Sequence, residues 1–393
     1  MNSLSSSNSR QLLIVARRFW PHAGLTELGL ADLARNLADA GHQVTVASIR
    51  WSRDWCDEFD FHGVRVIRFA RPVAGPWSSF RYARAIAKLF STTNYDGAIV
   101  SGLGDEAAAV SKAVDDYTPV VLQVDEGFEG VSRNLHRRHV ETCLAADAVV
   151  ANSKTVADHL NTVAGMPTVS VIEPGLRVSA PSPAETQEAI RQTLTKTHPV
   201  LRAEPDQPLV LTFSRMHHDC GVAKLVRAWP NVLRRYPGAK LWLVGDGPQA
   251  SKIWDLIVRV DVCHSVLLPG FFDGLDDLFT AADLYVHADG SSQTGDGMLR
   301  AVAHSLPVLC EQTMSTDQSV IQHKHVSLVQ RDSDWPNALL STLQQLQSRT
   351  LEIQSTARNN QPMLSESYSP SLQASRYIEL VESLSAQVLE PAK

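Results

Sequence analysis

The chain has 393 residues, 44% of them hydrophobic and 20% charged, with a formal net charge of −6. At roughly 100–200 residues per domain, that length predicts two domains, each large enough to bury a core. The acidic balance argues against a nucleic-acid partner, and no apolar run approaches the roughly 18 residues that a membrane span needs.

Met1–Gln11 is rich in Ser and Asn and lacks a long apolar core, so it reads as a frayed tail and not as a signal peptide. The five cysteines, Cys56, Cys143, Cys220, Cys263 and Cys310, are scattered and form no CxxC pair. That pattern predicts reduced thiols in a cytoplasmic protein and no metal site.

Strands are expected at Leu12–Ala16, Gln43–Ile49, Val64–Ala70, Gly97–Ser101, Val120–Val124, Ala148–Ala151 and Val169–Ile172. Amphipathic stretches such as Leu28–Ala40, Ala107–Val114 and Thr155–Val163 lie between them. Near-continuous apolar strands alternating with helices indicate a parallel sheet covered on both faces. From Glu173 to Pro208 the texture turns Pro-containing and polar, which reads as a hinge.

The theme then restarts with Leu209–Phe213, Lys240–Val244, Ser265–Leu268, Leu284–His287, Pro307–Cys310 and Ser327–Gln330. The expected fold is α/β, with two Rossmann-like doubly wound domains over 1–178 and 208–365 and a linker at 179–207 between them. The tail reads as helix, broken at Pro370, and 366–393 is expected to pack back on the first domain.

In open α/β sheets ligands bind beyond the carboxyl ends of the strands. That rule selects Arg17–Glu27, Gly102–Glu106, Asp125–Gly130 and Asn152–Ser153 in the first domain. In the second it selects Ser214–Gly221, Gly245–Pro248, Gly270–Gly274 and Asp289–Gly297. Gly295 and Gly297 precede the helical run Met298–His304, where backbone N–H groups and the helix dipole favour an anion. Arg215 would add a charge to the same phosphates; the plainer alternative is a turn with a solvated arginine.

Gly102-Leu103-Gly104-Asp105-Glu106-Ala107 matches a G-x-G-x-x-A dinucleotide fingerprint, with Asp125 as the distant acid. It follows the fourth strand instead of the first, so a tight turn is the better reading than a nicotinamide cofactor site. Asp105 and Glu106 read as helix caps. His136-x-x-His139 has helical spacing but no carboxylate ligand close by. The stretch 62–90 holds six Lys/Arg and no acid, interleaved with Phe69, Trp77, Phe80 and Tyr82. It reads as a solvated helix face or as a peripheral contact with a membrane surface.

In order and spacing, these residues resemble the retaining glycosyltransferases of the GT-B fold, the family-four group. Phe19-x-Pro21-x-x-Gly24-x-x-Glu27, Leu33–Leu37 and Gly41-His42-x-Val44-x-Val46 are similar to its first signature. Ala148–Ser153 and Ile172-x-Pro174-Gly175 resemble the end of its first domain. Ser214-Arg215, Val244–Pro248, Gly270-Phe271, Ala281–Leu284 and Leu306-Pro307-Val308 follow its second.

The resemblance implies two domains facing across a cleft, a nucleoside-diphosphate sugar as donor substrate, no cofactor, and an unidentified acceptor at the first domain. Arg215, Gly270, Gly295, Gly297 and Gly24 would bind the donor, and Asp125, aligned with a family histidine, would act at the transferred sugar. The motif is degenerate. Cys220 stands where the family has a phosphate lysine, and Ser292 and Arg300 stand where it has two glutamates. Losing two charge-assisted contacts of about 1.5–3 kcal/mol each weakens a donor site by about 10²–10⁴-fold. Arg300 would restore positive charge, unless it pairs with Asp296. A scaffold that binds without transferring is the alternative.

Overall fold

The computed structural model describes residues 9–21, 24–70, 78–125, 132–163, 165–166, 168–177, 187–217, 220–270, 275–288, 296–311, 326–329, 334–346 and 367–389. It divides into two compact units. One comprises Met1–Trp20, Glu27–Leu176 and Tyr368–Lys393, the other Pro21–Thr26 and Arg177–Ser367.

The first unit holds β1 (Gln11–Ala16), α1 (Leu25–Asp39), β2 (Gln43–Arg50), β3 (Glu58–Phe61), β4 (Val64–Ala70), α2 (Ser78–Thr92), β5 (Gly97–Ser101) and α3 (Asp105–Ala113). It continues with β6 (Val120–Val124), α4 (Arg133–Leu144), β7 (Ala148–Ala151), α5 (Lys154–Asn161) and β8 (Val169–Val171). The strands form one sheet in the order β3-β4-β2-β1-β5-β6-β7-β8. Helices cover both faces, so β1 from Leu12 onward and β5 up to Val100 carry no polar side chain, and both strands are almost wholly buried. Only β3 runs antiparallel. It was not expected from the sequence, because Glu58–Phe61 is short and alternates acid with aromatic. The Asp60 carboxylate accepts the Gly63 N–H at 3.1 Å, and the left-handed turn at His62 and Gly63 reverses the chain.

One face of this sheet is closed by a helix from far along the chain, Pro370–Leu389. Its Ala374, Tyr377, Val381 and Leu384 pack with Leu12, Ile14, Ile99 and Val121. A side chain at Gly97 would meet Val381 Cγ1 at 2.7 Å, so glycine there lets the helix lie directly on β5. Asn36 donates to Gly175 O at 3.1 Å and to Gln373 Oε1 at 3.0 Å, pinning the same helix to α1.

The second unit holds α6 (Gln187–Thr197), β9 (Leu209–Phe213), α7 (Val222–Arg235), β10 (Lys240–Val244), α8 (Ala250–Arg259), β11 (Val266–Gly270) and α9 (Leu275–Ala281). Then come β12 (Leu284–His287), α10 (Asp296–Ala303), β13 (Val308–Glu311), β14 (Val326–Val329) and α11 (335–346). The helix at Pro370–Leu389 is therefore α12. The six strands are ordered β11-β10-β9-β12-β13-β14, and every pair is parallel. Trp229 and Val232 of α7, Ile257 of α8 and Leu339 of α11 fill one face.

The stretch read as a linker is structured from residue 187 onward. Arg191 of α6, with its side chain 2% exposed, donates to Ala281 O at 2.7 Å and Pro205 O at 3.0 Å and pairs with Asp283 at 2.8 Å. A guanidinium so placed satisfies its donors on backbone carbonyls and fixes α6 to this unit.

Candidate functional site

In the second unit the strand ends converge through glycines. After β9 the chain turns at Met216, a buried residue in the left-handed region, whose N–H donates to Ser214 Oγ at 3.1 Å. The turn after β10 lies against this one: Gln249 N–H donates to Met216 O at 2.8 Å. Any side chain at Gly245 or Gly247 would collide with the carbonyls of Ser214 or Arg215. At Gly221, the residue before α7, it would collide with the Ala288 carbonyl beyond β12, and at Gly297, in the first turn of α10, with the Tyr285 hydroxyl. Small residues thus bring the ends of β9, β10 and β12 and the first turns of α7 and α10 close together. Arg215 is exposed at this edge and donates to the Thr26 hydroxyl; Thr26 and the sequence-selected Gly24 lie in Pro21–Thr26, which groups with this unit.

Arg300 is not at the surface. It is 2% exposed beneath α10, and its charge is felt by Asp276. Burial works to raise the Asp276 carboxyl, but a hydrogen bond from His304 at 3.2 Å and the charges of His304 and Arg300 bring it below the usual carboxylate range. His287, on the last position of β12, is buried, and desolvation pushes its imidazole down to about 4. It is therefore neutral at physiological pH.

Lys224, in the first turn of α7, was missed from the sequence. Its ammonium pairs at 2.8 Å with Glu311, which is 4% exposed at the end of β13. The one signal was an acid closing an otherwise apolar strand. Gly270 has φ +76 with open space around its α-carbon, so its conformation requires glycine while packing does not. Ser292 and Gly295 lie outside the described residues.

In the first unit the Gly102–Gly104 turn is filled by the chain itself. Glu106, 6% exposed, accepts the Gly104 N–H at 3.0 Å, and its carboxylate occupies the space beside both glycines. Burial raises its pKa. A dinucleotide pyrophosphate needs that amide and that space, which is in keeping with the tight turn preferred from the sequence.

Asp125, just beyond β6, is reached by a two-step relay. Tyr377 of α12 donates to Gln123 Oε1 at 3.0 Å, and Gln123 Nε2 donates to Asp125 Oδ1 at 2.9 Å. Burial and the Asp125 charge both raise the Tyr377 pKa, so the phenol stays a donor. Arg17 and Arg18 stack over Trp51 at the neighbouring strand end. Of the basic stretch, 71–77 lies outside the described residues, but α2 carries exposed Phe80, Arg81, Arg84 and Lys88. Among the described residues no cluster of His, Cys, Asp and Glu has metal-binding geometry, and no helix is long and apolar enough to cross a membrane.

Two doubly wound, mostly parallel sheets with glycine-crowded strand ends define a two-unit α/β fold. A solved structure shares it: the Anabaena protein HepE, crystallised with UDP-glucose, superposes with a TM-score of 0.72 over 95% of this chain and 100% of its own at 20% identity. The fold is GT-B. Residues 26–180 match Glycosyltransferase Family 4, and residues 207–349 match Glycosyl transferases group 1. The chain belongs to this glycosyltransferase family.

Among curated relatives, an uncharacterized glycosyltransferase of Methanocaldococcus jannaschii is 32% identical over 27% of each chain. The alpha-monoglucosyldiacylglycerol synthase of Streptococcus pneumoniae is 22% identical over 50% of this chain and 44% of its own. The chain thus matches less than half the length of these relatives.

Proposed function

We propose that the protein is a retaining glycosyltransferase that moves a sugar from a nucleoside-diphosphate sugar to an acceptor hydroxyl. The observation that carries this reading is Arg215 at the carboxyl end of β9, against the Gly245–Gly247 turn, in a unit matching the group 1 pattern. An arginine there stabilises the departing diphosphate, which is the main demand of the transfer. The anomeric carbon exchanges its bond to a phosphate oxygen for one to the acceptor oxygen, and the acceptor proton leaves on the phosphate.

Gly297, with Gly295 and Ser292 before it, would border the phosphates and sugar. Gly270 would line the donor site, Gly24 would leave room for the phosphates, and Asp125 would touch the sugar or the acceptor hydroxyl. The reading uses no cofactor and no metal. The streptococcal relative's name is in keeping with an acceptor carried at a membrane, which the exposed basic residues of α2 would meet.

A second reading, a scaffold that does not transfer, is favoured by Arg300: a side chain 2% exposed does not replace the missing phosphate lysine. A thermal-shift panel of UDP, GDP, ADP, CDP and dTDP separates the two. At a hundred times its Kd a ligand adds about 2.7 kcal/mol, or about 5–10 °C in domains of this size. One responder is expected, with affinity lowered about 10–100-fold by Arg215→Ala. Silence from all five overturns the donor reading.

A further inference from the structure

The turn proposed to take the donor phosphates is closed in this structure. Asp296, Gly297, Met298 and Leu299, the first turn of α10, are all buried. A phosphate drawn to that helix start must therefore displace what covers it. Part of the cover is Leu25. A β-carbon on Gly297 would stand 2.9 Å from Leu25 Cδ1, which sets a methyl group against the turn. Leu25 opens α1 and keeps part of its own surface in water.

The next residue holds the other phosphate contact. Thr26 Oγ1 accepts a hydrogen bond from the exposed Arg215 guanidinium. Leu25 and Thr26 both belong to Pro21–Thr26, the short piece of chain that groups with the second unit and includes Gly24. Consecutive residues at a helix start point about 100° apart, so one turn of backbone reaches both the α10 turn and Arg215. That turn is also the least secured part of α1. Its N–H groups have no intrahelical acceptor, and the glycine before it changes conformation at little steric cost.

From these two contacts we infer that Leu25 and Thr26 form a gate over the donor site. In the free protein Leu25 covers the first turn of α10 and Thr26 holds Arg215; a nucleoside diphosphate binds by displacing both. The exchange suits an anion. The Thr26 hydroxyl offers Arg215 a neutral acceptor, whereas a phosphate oxygen makes a charge-assisted bond roughly twice as strong. Uncovering Leu25 opposes the exchange, so the gate sets the affinity of the site. That the gated ligand is a sugar donor rests on the function proposed above.

The test is calorimetric titration of the full chain and its variants with UDP, GDP, ADP, CDP and dTDP. Leu25→Ala leaves less apolar surface to uncover and should tighten the responding diphosphate about three- to tenfold. Leu25→Met conserves the cover and should keep the wild-type affinity. Thr26→Val releases Arg215 and should tighten binding about two- to tenfold. In an Arg215→Ala background that second gain should vanish, because Thr26 acts through Arg215. Both side chains are part-exposed, and melting temperatures without nucleotide show that the variants fold.

A responder bound no more tightly by Leu25→Ala and Thr26→Val than by the wild type overturns the gate and leaves the donor reading standing. A silent wild type that gains a responder with Leu25→Ala supports the gate, and places it over a site that a non-transferring scaffold keeps shut. Silence from the wild type and both variants overturns the donor reading and the gate together.

Discussion

Gly221→Ala sets two physical effects of opposite sign against each other. Gly221 has φ −69 and ψ −3, an ordinary right-handed conformation, so alanine carries no backbone strain there. By chain entropy alone the substitution stabilises by about 0.4–1 kcal/mol. The new β-carbon, however, would stand 2.8 Å from the Ala288 carbonyl carbon and closer still to its oxygen. Both atoms are backbone, so the first turn of α7 or the end of β12 must retreat. Overpacking of that kind costs about 1–3 kcal/mol. The expected net is a loss of about 1–2 kcal/mol, and at about 2–4 °C per kcal/mol the melting temperature should fall by about 2–8 °C. Scanning calorimetry of the two proteins measures it. An equal or higher melting temperature refutes the claim that α7 is held against β12 by the absence of a side chain.

Arg191→Met should destabilise the second unit by about 1.5–3 kcal/mol in urea titrations, because the part-exposed Asp283 loses a charge-assisted partner and the Ala281 carbonyl its donor. His287 binds protons more weakly folded, at about 4, than unfolded, near 6.5, so its contribution is complete above pH 6.5 and lost as pH falls toward 4. Replacing it with Leu should shrink the stability difference between pH 7 and pH 4 by about 3 kcal/mol; an unchanged difference counts against the buried neutral ring. Asp125→Ala should lower sugar transfer about 100-fold or more with nucleotide affinity unchanged, and normal turnover removes its assigned role.

Strand positions were legible because a strand buried on both faces must be largely apolar, and Gly97–Ser101, Val120–Val124 and Leu209–Phe213 each carry a single polar side chain. β3 was not, since Glu58–Phe61 faces water on one side and gains its place from pairing with β4. Arg215 and the glycines were singled out in the sequence because strand ends are a general location for ligands. What sets their behaviour was hidden. Arg300 reads as a phosphate cation in sequence, and only packing shows it beneath α10 beside Asp276. The relay to Asp125 joins residues more than two hundred positions apart, and no local pattern encodes that.

That relay also orders events during synthesis. At about 5–20 residues per second, Gln123 and Asp125 leave the ribosome about 10–50 s before Tyr377 is made. Through that interval β1, β5 and β6 present an uncovered apolar face of Leu12, Ile14, Ile99 and Val121, the surface α12 later occupies. A chain that stops before residue 370 would keep that face without α12, so it should bind an apolar-surface dye that the full chain does not.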